Sequence, residues 1–159
     1  MKVTVLVIGR VREPYTALIR SYEERARHYW KLEVVELDSA GTRGASRPPT
    51  LVRREEGERL RTRIPPGSEL WALTREGGEI SSEDLARTLA DQPLRGSSGV
   101  TFLIGGAFGL DESLMAQARR RLSLSAMTLP HGMARLILAE QLYRAGTILR
   151  GEPYHKGGE

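Results

Sequence analysis

Five short runs of β-branched and aliphatic residues, each separated from the next by enough chain for a helix, constrain this sequence more than any other feature. Val3–Ile8, Leu32–Leu37, Ser68–Thr74, Val100–Ile104 and Leu122–Met127 read as strands. Parallel strands need crossovers of a dozen residues or more, usually helical, so the alternation predicts an α/β domain with a mostly parallel sheet. Pro14 is expected to open a helix reaching about Tyr29, with Tyr15, Leu18, Ile19, Tyr22 and Ala26 on one face. A polar helix over Thr50–Arg63 should stop at Pro65-Pro-Gly67, after a Gly/Ser/Arg/Pro loop from Ser39 to Pro49. Glu76-Gly-Gly78 reads as a turn, and Ser81-Ser-Glu-Asp84 as a capped helix start. Asp111 is expected to cap a short helix ending in Arg119-Arg-Arg121, where cations suit the helix dipole. A last, long helix runs from Met133 to Arg150. No repeat or linker divides the chain, so residues 1–159 are expected to form a single domain.

Composition narrows the function classes. The chain has no cysteine, which excludes disulfides, thiolate metal sites and cysteine nucleophiles. No apolar run approaches the roughly 18–20 residues of a membrane span, and the strand-like N-terminus lacks a signal-peptide cleavage site, so a cytoplasmic protein is expected. The net charge of +4 is concentrated between Gly41 and Arg63. There, Arg43, Arg47, Arg53, Arg54, Arg59, Arg61 and Arg63 face only Glu55, Glu56 and Glu58. Arginine suits bidentate phosphate contact, so this stretch is a candidate RNA-binding face, or else simply a solvated helix surface.

Two turns at strand ends are candidate ligand sites. Gly105-Gly-Ala-Phe-Gly109 follows a buried strand, where glycines let backbone amides approach a ligand; a tight strand-to-helix turn is the bland equivalent. Ser123-Leu-Ser-Ala-Met-Thr-Leu-Pro-His131 places amides, carbonyls and a hydroxyl where ligands of α/β folds tend to sit. Neither a GxSxG elbow nor an HExxH pair is present, so a hydrolase triad or metal site has little support. The Met133–Arg150 helix is apolar on more than one face, which predicts cover by a second subunit. Within it Glu140 and Arg144 have the spacing of an ion pair. Tyr154-His155-Lys156 lies on a terminal tail, where disorder is the default.

Four ordered motifs go further: Phe102-Leu-Ile-Gly-Gly-x-x-Gly-Leu110, Leu124-Ser-x-Met-Thr-Leu-Pro-His131, Glu140-Gln-Leu-Tyr-Arg-Ala145 and Arg150-Gly-Glu-Pro-Tyr-His-Lys156. With them the chain resembles, end to end, the ribosomal RNA large subunit methyltransferase H group of the SPOUT methyltransferases. The resemblance implies a C-terminal trefoil knot, an obligate homodimer and S-adenosylmethionine as methyl donor, with no metal. It implies as substrate the N3 of a pseudouridine in the helix 69 loop of 23S rRNA within assembled ribosomes. Matched by position, it places the cofactor at Leu73, Gly105, Leu124, Ser125, Ala126, Met127, Thr128 and Leu129. It also places the tail over the active site, where the side-chain chemistry suggests Tyr154 for stacking the base, His155 for bonding its edge or acting as base, and Arg144 for balancing the developing anion. Gly132 departs from the longer polar residue more common after His131, Ala107-Phe108 is one variant of a loop that varies, and Gly157-Gly-Glu159 extends past the usual end. A non-catalytic ribosome- or RNA-binding protein retaining the fold is the alternative; it explains the arginines but not the second pocket or the tail.

Overall fold

The computed structural model describes residues 1–41 and 46–156, with the backbone alone of His155. Arg43 and the Gly157–Glu159 extension lie outside the described residues. The elements are β1 (Lys2–Ile8), α1 (Thr16–Ala26), β2 (Lys31–Leu37), α2 (Pro49–Arg61), β3 (Glu69–Gly78), α3 (Ser82–Asp91), β4 (Val100–Ile104), α4 (Glu112–Gln117), β5 (Arg120–Leu122) and α5 (His131–Leu149). The strands form one sheet, in the order β2-β1-β4-β3-β5, and every pairing is parallel. The α/β expectation holds, and the central strands β1 and β4 are buried along nearly their whole length because helices cover both faces.

One face of the sheet packs Val3, Val5, Val7, Trp71 and Phe102 against Leu85, Leu89, Leu138 and Leu142 of the helices. Trp71 meets Phe102 edge-on, with centroids 5.3 Å apart; each fully buried side chain of this size contributes about 1.5–3 kcal/mol by leaving water. The other face is a smaller cluster of Leu6, Ile8, Leu60, Leu103 and Leu114 beneath α2 and α4.

Four expectations are corrected. Pro14 lies before α1, which starts at Thr16, and Leu18 is 53% exposed; the buried stripe is Ile19, Glu23 and Ala26. Glu23 is buried because Arg135 of α5 donates to it at 2.8 Å. Glu76-Gly-Gly78 is not a turn but the end of β3. A Cβ on Gly77 would stand 2.6 Å from the Arg121 carbonyl carbon, so this glycine marks a close approach of two backbones. The arginine triplet does not end α4: the helix stops at Gln117, Asp111 makes no side-chain cap bond, and Arg120 and Arg121 belong to β5. Arg120 stacks over Trp71, 5.3 Å from the ring centroid. Last, β5 ends at Leu122 rather than Met127. Ser123 turns out of the sheet by donating its amide to Gly78 and its hydroxyl to the Arg75 carbonyl. Ser125 Oγ then accepts from the Met127 amide at 3.0 Å, a local turn that competes with a strand ladder.

Candidate active site

Because the sheet is all parallel, every strand points its carboxyl end toward one edge, and a cleft of about 1180 Å³ opens there beyond β3, β4 and β5. It is lined by the end of β3, by the 105–110 loop after β4, and by the loop after β5 up to His131 and Ala134 of α5. Of the residues expected to hold a cofactor, Leu73, Gly105, Leu124, Ser125, Met127, Thr128 and Leu129 line this cleft; Ala126 lies in the same loop but not on its wall. Three segments far apart in sequence are thus brought to one concave surface.

The loops are held mainly by backbone and small side chains. A Cβ on Gly105 would stand 2.6 Å from the Gly109 carbonyl carbon and 2.9 Å from the Leu110 nitrogen. The glycine therefore lets the loop close on itself, rather than sparing the cleft floor. Across the cleft, Arg75 donates to Thr128 Oγ1 at 2.9 Å and so ties the second loop to β3. Leu73 and Leu129 offer half-buried apolar walls, while Met127 is 77% exposed. The α5 N-terminus is seated at this edge: a Cβ on Gly9, just after β1, would stand 3.0 Å from His131 Nε2. Gly132 has a packing reason for its small size, since a Cβ there would lie 2.9 Å from the Tyr15 ring.

The tail residues are elsewhere. α5 runs back along the sheet, and Arg144 lies thirteen residues beyond His131, about 20 Å along the axis. Residues 153–156 form a 3₁₀ turn docked on that distant half, which corrects the expectation of a disordered end. Tyr154 packs on Tyr143 with centroids 4.5 Å apart and donates to Glu140 Oε1 at 3.1 Å. Arg144 donates to the same oxygen at 2.7 Å and lies 5.0 Å over the Tyr154 ring, so the expected Glu140–Arg144 pair is present. Hydrogen bonding to Glu140 raises the Arg144 pKa above its ordinary value. Burial, followed by bonding to Tyr22 and the nearby Glu140 charge, pushes the Tyr154 phenol up. At the base of the tail, Tyr29 donates to Glu152, and this bond pushes its phenol up to about 12. The Tyr154 and Arg144 expected to be catalytic are thus together, but far along α5 from the cleft of their own chain.

Sequence reasoning missed Glu140 as the anchor of Tyr154, because a contact fourteen residues apart leaves no periodic trace. It also missed the buried Arg135, which bridges Glu23 and Glu36, the latter at 3.1 Å; a lone arginine among apolar helix positions was the available signal. Among the described residues no group of three His, Asp or Glu is arranged to hold a metal ion, and no helix is long and apolar enough to cross a membrane.

Known sequences match this chain over nearly its whole length. The family described as "Predicted SPOUT methyltransferase" matches residues 1–155. Proteins named ribosomal RNA large subunit methyltransferase H are 48% identical in Gemmatimonas aurantiaca, over 98% of this chain and 100% of the relative, and 41% identical in Clostridioides difficile over the same shares. The Bacillus pumilus protein of that name is 38% identical, again over 98% and 100%. With its parallel α/β sheet and strand-edge cleft, the chain belongs to the SPOUT methyltransferase family, in the ribosomal RNA large subunit methyltransferase H group.

Proposed function

We propose that this protein transfers a methyl group from S-adenosylmethionine to N3 of a pseudouridine in the helix 69 loop of 23S rRNA, acting on assembled ribosomes. The observation that carries the reading is the convergence of Leu73, Gly105, Leu124, Ser125, Met127, Thr128 and Leu129 on one strand-edge cleft. The donor set fits an adenosyl group: loop amides and carbonyls for the base edge, and Leu73 and Leu129 for its faces. When bound, the cofactor supplies an activated sulfonium methyl. The chain's own task is then alignment and the exclusion of water, and orientation alone removes several kcal/mol from such a barrier.

The protein acts as a homodimer in this reading. Leu18, Met133, Leu136 and Ile137 remain at least partly exposed at the cleft end of α1 and α5, and a partner would cover them. Because Tyr154 and Arg144 lie too far along α5 to serve their own cleft, the partner's tail completes each site. There Tyr154 stacks the base, His155 bonds the uracil edge, and Arg144, already paired with Glu140, holds the Tyr154 ring in place. Positioning is favoured over proton abstraction by His155, since imidazole is a modest match to so weak an acid as the uracil imide. The knot implied by the family belongs to the same proposal. The arginines of the Gly41–Arg63 stretch would bind rRNA phosphates, although Arg47, just before α2, is already bonded to Glu55 at 2.8 Å. Labelled methyl transfer tests the reading: ribosomes should be methylated at this base and free rRNA far less. Transfer to neither would refute it.

A further inference from the structure

Arg119-Arg-Arg121 reads in sequence as one basic cluster, but the strand divides it. Successive side chains of a strand point to opposite faces. Arg120 lies over the Trp71 ring, 5.3 Å from its centroid, while Arg121 is exposed and lines the strand-edge cleft. β5 is the outermost strand of the sheet, and Arg121 pairs there with Ala72, the neighbour of Leu73 in β3. Its Nε donates to the Met115 carbonyl of α4 at 3.2 Å. That bond fixes the guanidinium at the cleft wall while committing a single N–H and leaving the charge in place.

A second arginine reaches the same wall through an irregularity of the sheet. β3 and β5 pair Leu73 with Leu122 and then Gly78 with the same Leu122, so residues 74–77 bulge from the ladder. Bulges re-aim side chains and recur beside active sites. Here Ser123 holds the bulge, donating its hydroxyl to the Arg75 carbonyl and its amide to the Gly78 carbonyl. Arg75 is exposed, lines the cleft, and donates through Nη1 to Thr128 Oγ1 at 2.9 Å. Both arginines are thus oriented by a neutral oxygen, which cancels none of their charge. With Arg53 they outnumber the acidic groups of the cleft wall, Glu76 and Glu112.

We propose that Arg75 and Arg121 form a phosphate clamp in the cleft, holding the RNA backbone beside the base to be methylated. The assignment rests on the functional reading above. A nucleotide whose base reaches this cleft carries a phosphodiester on either side, and the guanidinium fork binds phosphate oxygens in pairs. Such contacts set the register of the RNA and carry no base specificity of their own.

The test is equilibrium binding to ribosomes over a range of salt. The cleft is kept saturated with S-adenosylhomocysteine, so that any loosening of the Thr128 loop in an Arg75 variant does not enter. Arg121→Ala and Arg75→Ala should each weaken binding about tenfold. The double variant should flatten the slope of log affinity against log salt by about 1.4, as expected for two lost contacts to single-stranded phosphates. Arg119→Ala, in the same triplet but off the cleft wall, should change affinity by less than about twofold. Arg121→Met keeps the stem without the charge and serves if the alanine variant fails to fold. Calorimetry should find the S-adenosylhomocysteine affinity of Arg121→Ala within about twofold of wild type. Equal losses for Arg119→Ala and Arg121→Ala would make the effect a diffuse field. A loss of about tenfold in S-adenosylhomocysteine affinity would make Arg121 a partner of the methyl donor's carboxylate. Either result overturns the clamp, as does unchanged ribosome binding by Arg75→Ala and Arg121→Ala. Wild type that did not methylate ribosomes would refute the functional reading itself, and the clamp with it.

Discussion

The two ends of α5 are built on opposite principles. At its N-terminal end His131 and Ala134 border an open cleft, where loops rest on backbone, small side chains and the exposed Arg75–Thr128 bond. At its C-terminal half, Tyr143, Tyr154, Glu140 and Arg144 form a closed network of tilted ring contacts and shared carboxylate bonds, extended by Tyr29 and Glu152. The first is a surface whose bonds are left for a ligand to make. The second has made its bonds, and so presents a tail of fixed shape. One helix thus carries the cleft and, about 20 Å away, the element proposed to serve the cleft of a second subunit.

The largest expected effect is at the receiving end. Gly105→Val should weaken S-adenosylhomocysteine binding at least about a hundredfold, because even its Cβ would stand 2.6 Å from the Gly109 carbonyl carbon. Circular dichroism should show the sheet intact. Normal binding by this variant would mean that the cleft does not depend on loop closure.

At the donating end, truncation after Glu152 should cut methyl transfer at least about tenfold, roughly 1.4 kcal/mol of barrier, with cofactor affinity unchanged. The sequence alone suggests no stability loss. The docked Tyr154 changes that expectation: losing its ring contact with Tyr143 and its bond to Glu140 should remove about 2 kcal/mol and lower the melting temperature by about 6 °C. Wild-type melting would mean the tail is not docked in solution.

A smaller effect concerns neither end. Reversing Arg53 and Arg54 to glutamate should weaken ribosome binding by about tenfold and flatten its salt dependence, leaving cofactor affinity in place. Reversing Arg47 should matter less, since its charge is already shared with Glu55. Equal losses would indicate a diffuse electrostatic contribution instead.

The smallest effect is one of pH. Tyr29 has its phenol raised from 10.0 to about 12, first by its bond to Glu152. A raised pKa stabilises the protonated form, so this contribution is fully present below pH 10 and is lost as pH rises through about 12. Tyr29→Phe should therefore lower the melting temperature slightly at pH 8, and the difference should vanish above pH 12. A difference that persists there would assign the effect to packing.

The architecture was legible because it depends on local pattern. Val3–Ile8 and Val100–Ile104 read as buried strands and are buried strands. Ser81 reads as a cap, and its hydroxyl accepts from the Asp84 amide at 3.0 Å. Misreadings arose where a distant backbone decides. Gly77 looks like a turn until Arg121 lies against it, and Arg120 looks like a helix end until Trp71 lies beneath it. The same division holds in the site. The glycine and Leu-Ser-x-Met-Thr-Leu motifs marked the cleft, because ligand loops at strand ends carry small and turn-forming residues. The separation of Tyr154 from that cleft was not legible, because it depends on the direction in which α5 leaves the sheet edge. Nor was the burial of Glu56, which reads in sequence as one more charge on a polar helix.

Subunit complementation tests the central contrast most directly. Gly105→Val chains have an intact tail and a ruined cleft; chains truncated after Glu152 have the reverse. Each alone should be nearly inactive. Random mixing makes about half the dimers heterodimeric, with one intact cleft facing one intact tail, so methyl transfer should recover to roughly a quarter of wild type. No recovery despite heterodimer formation would show that each chain's tail serves its own cleft, and would contradict the account.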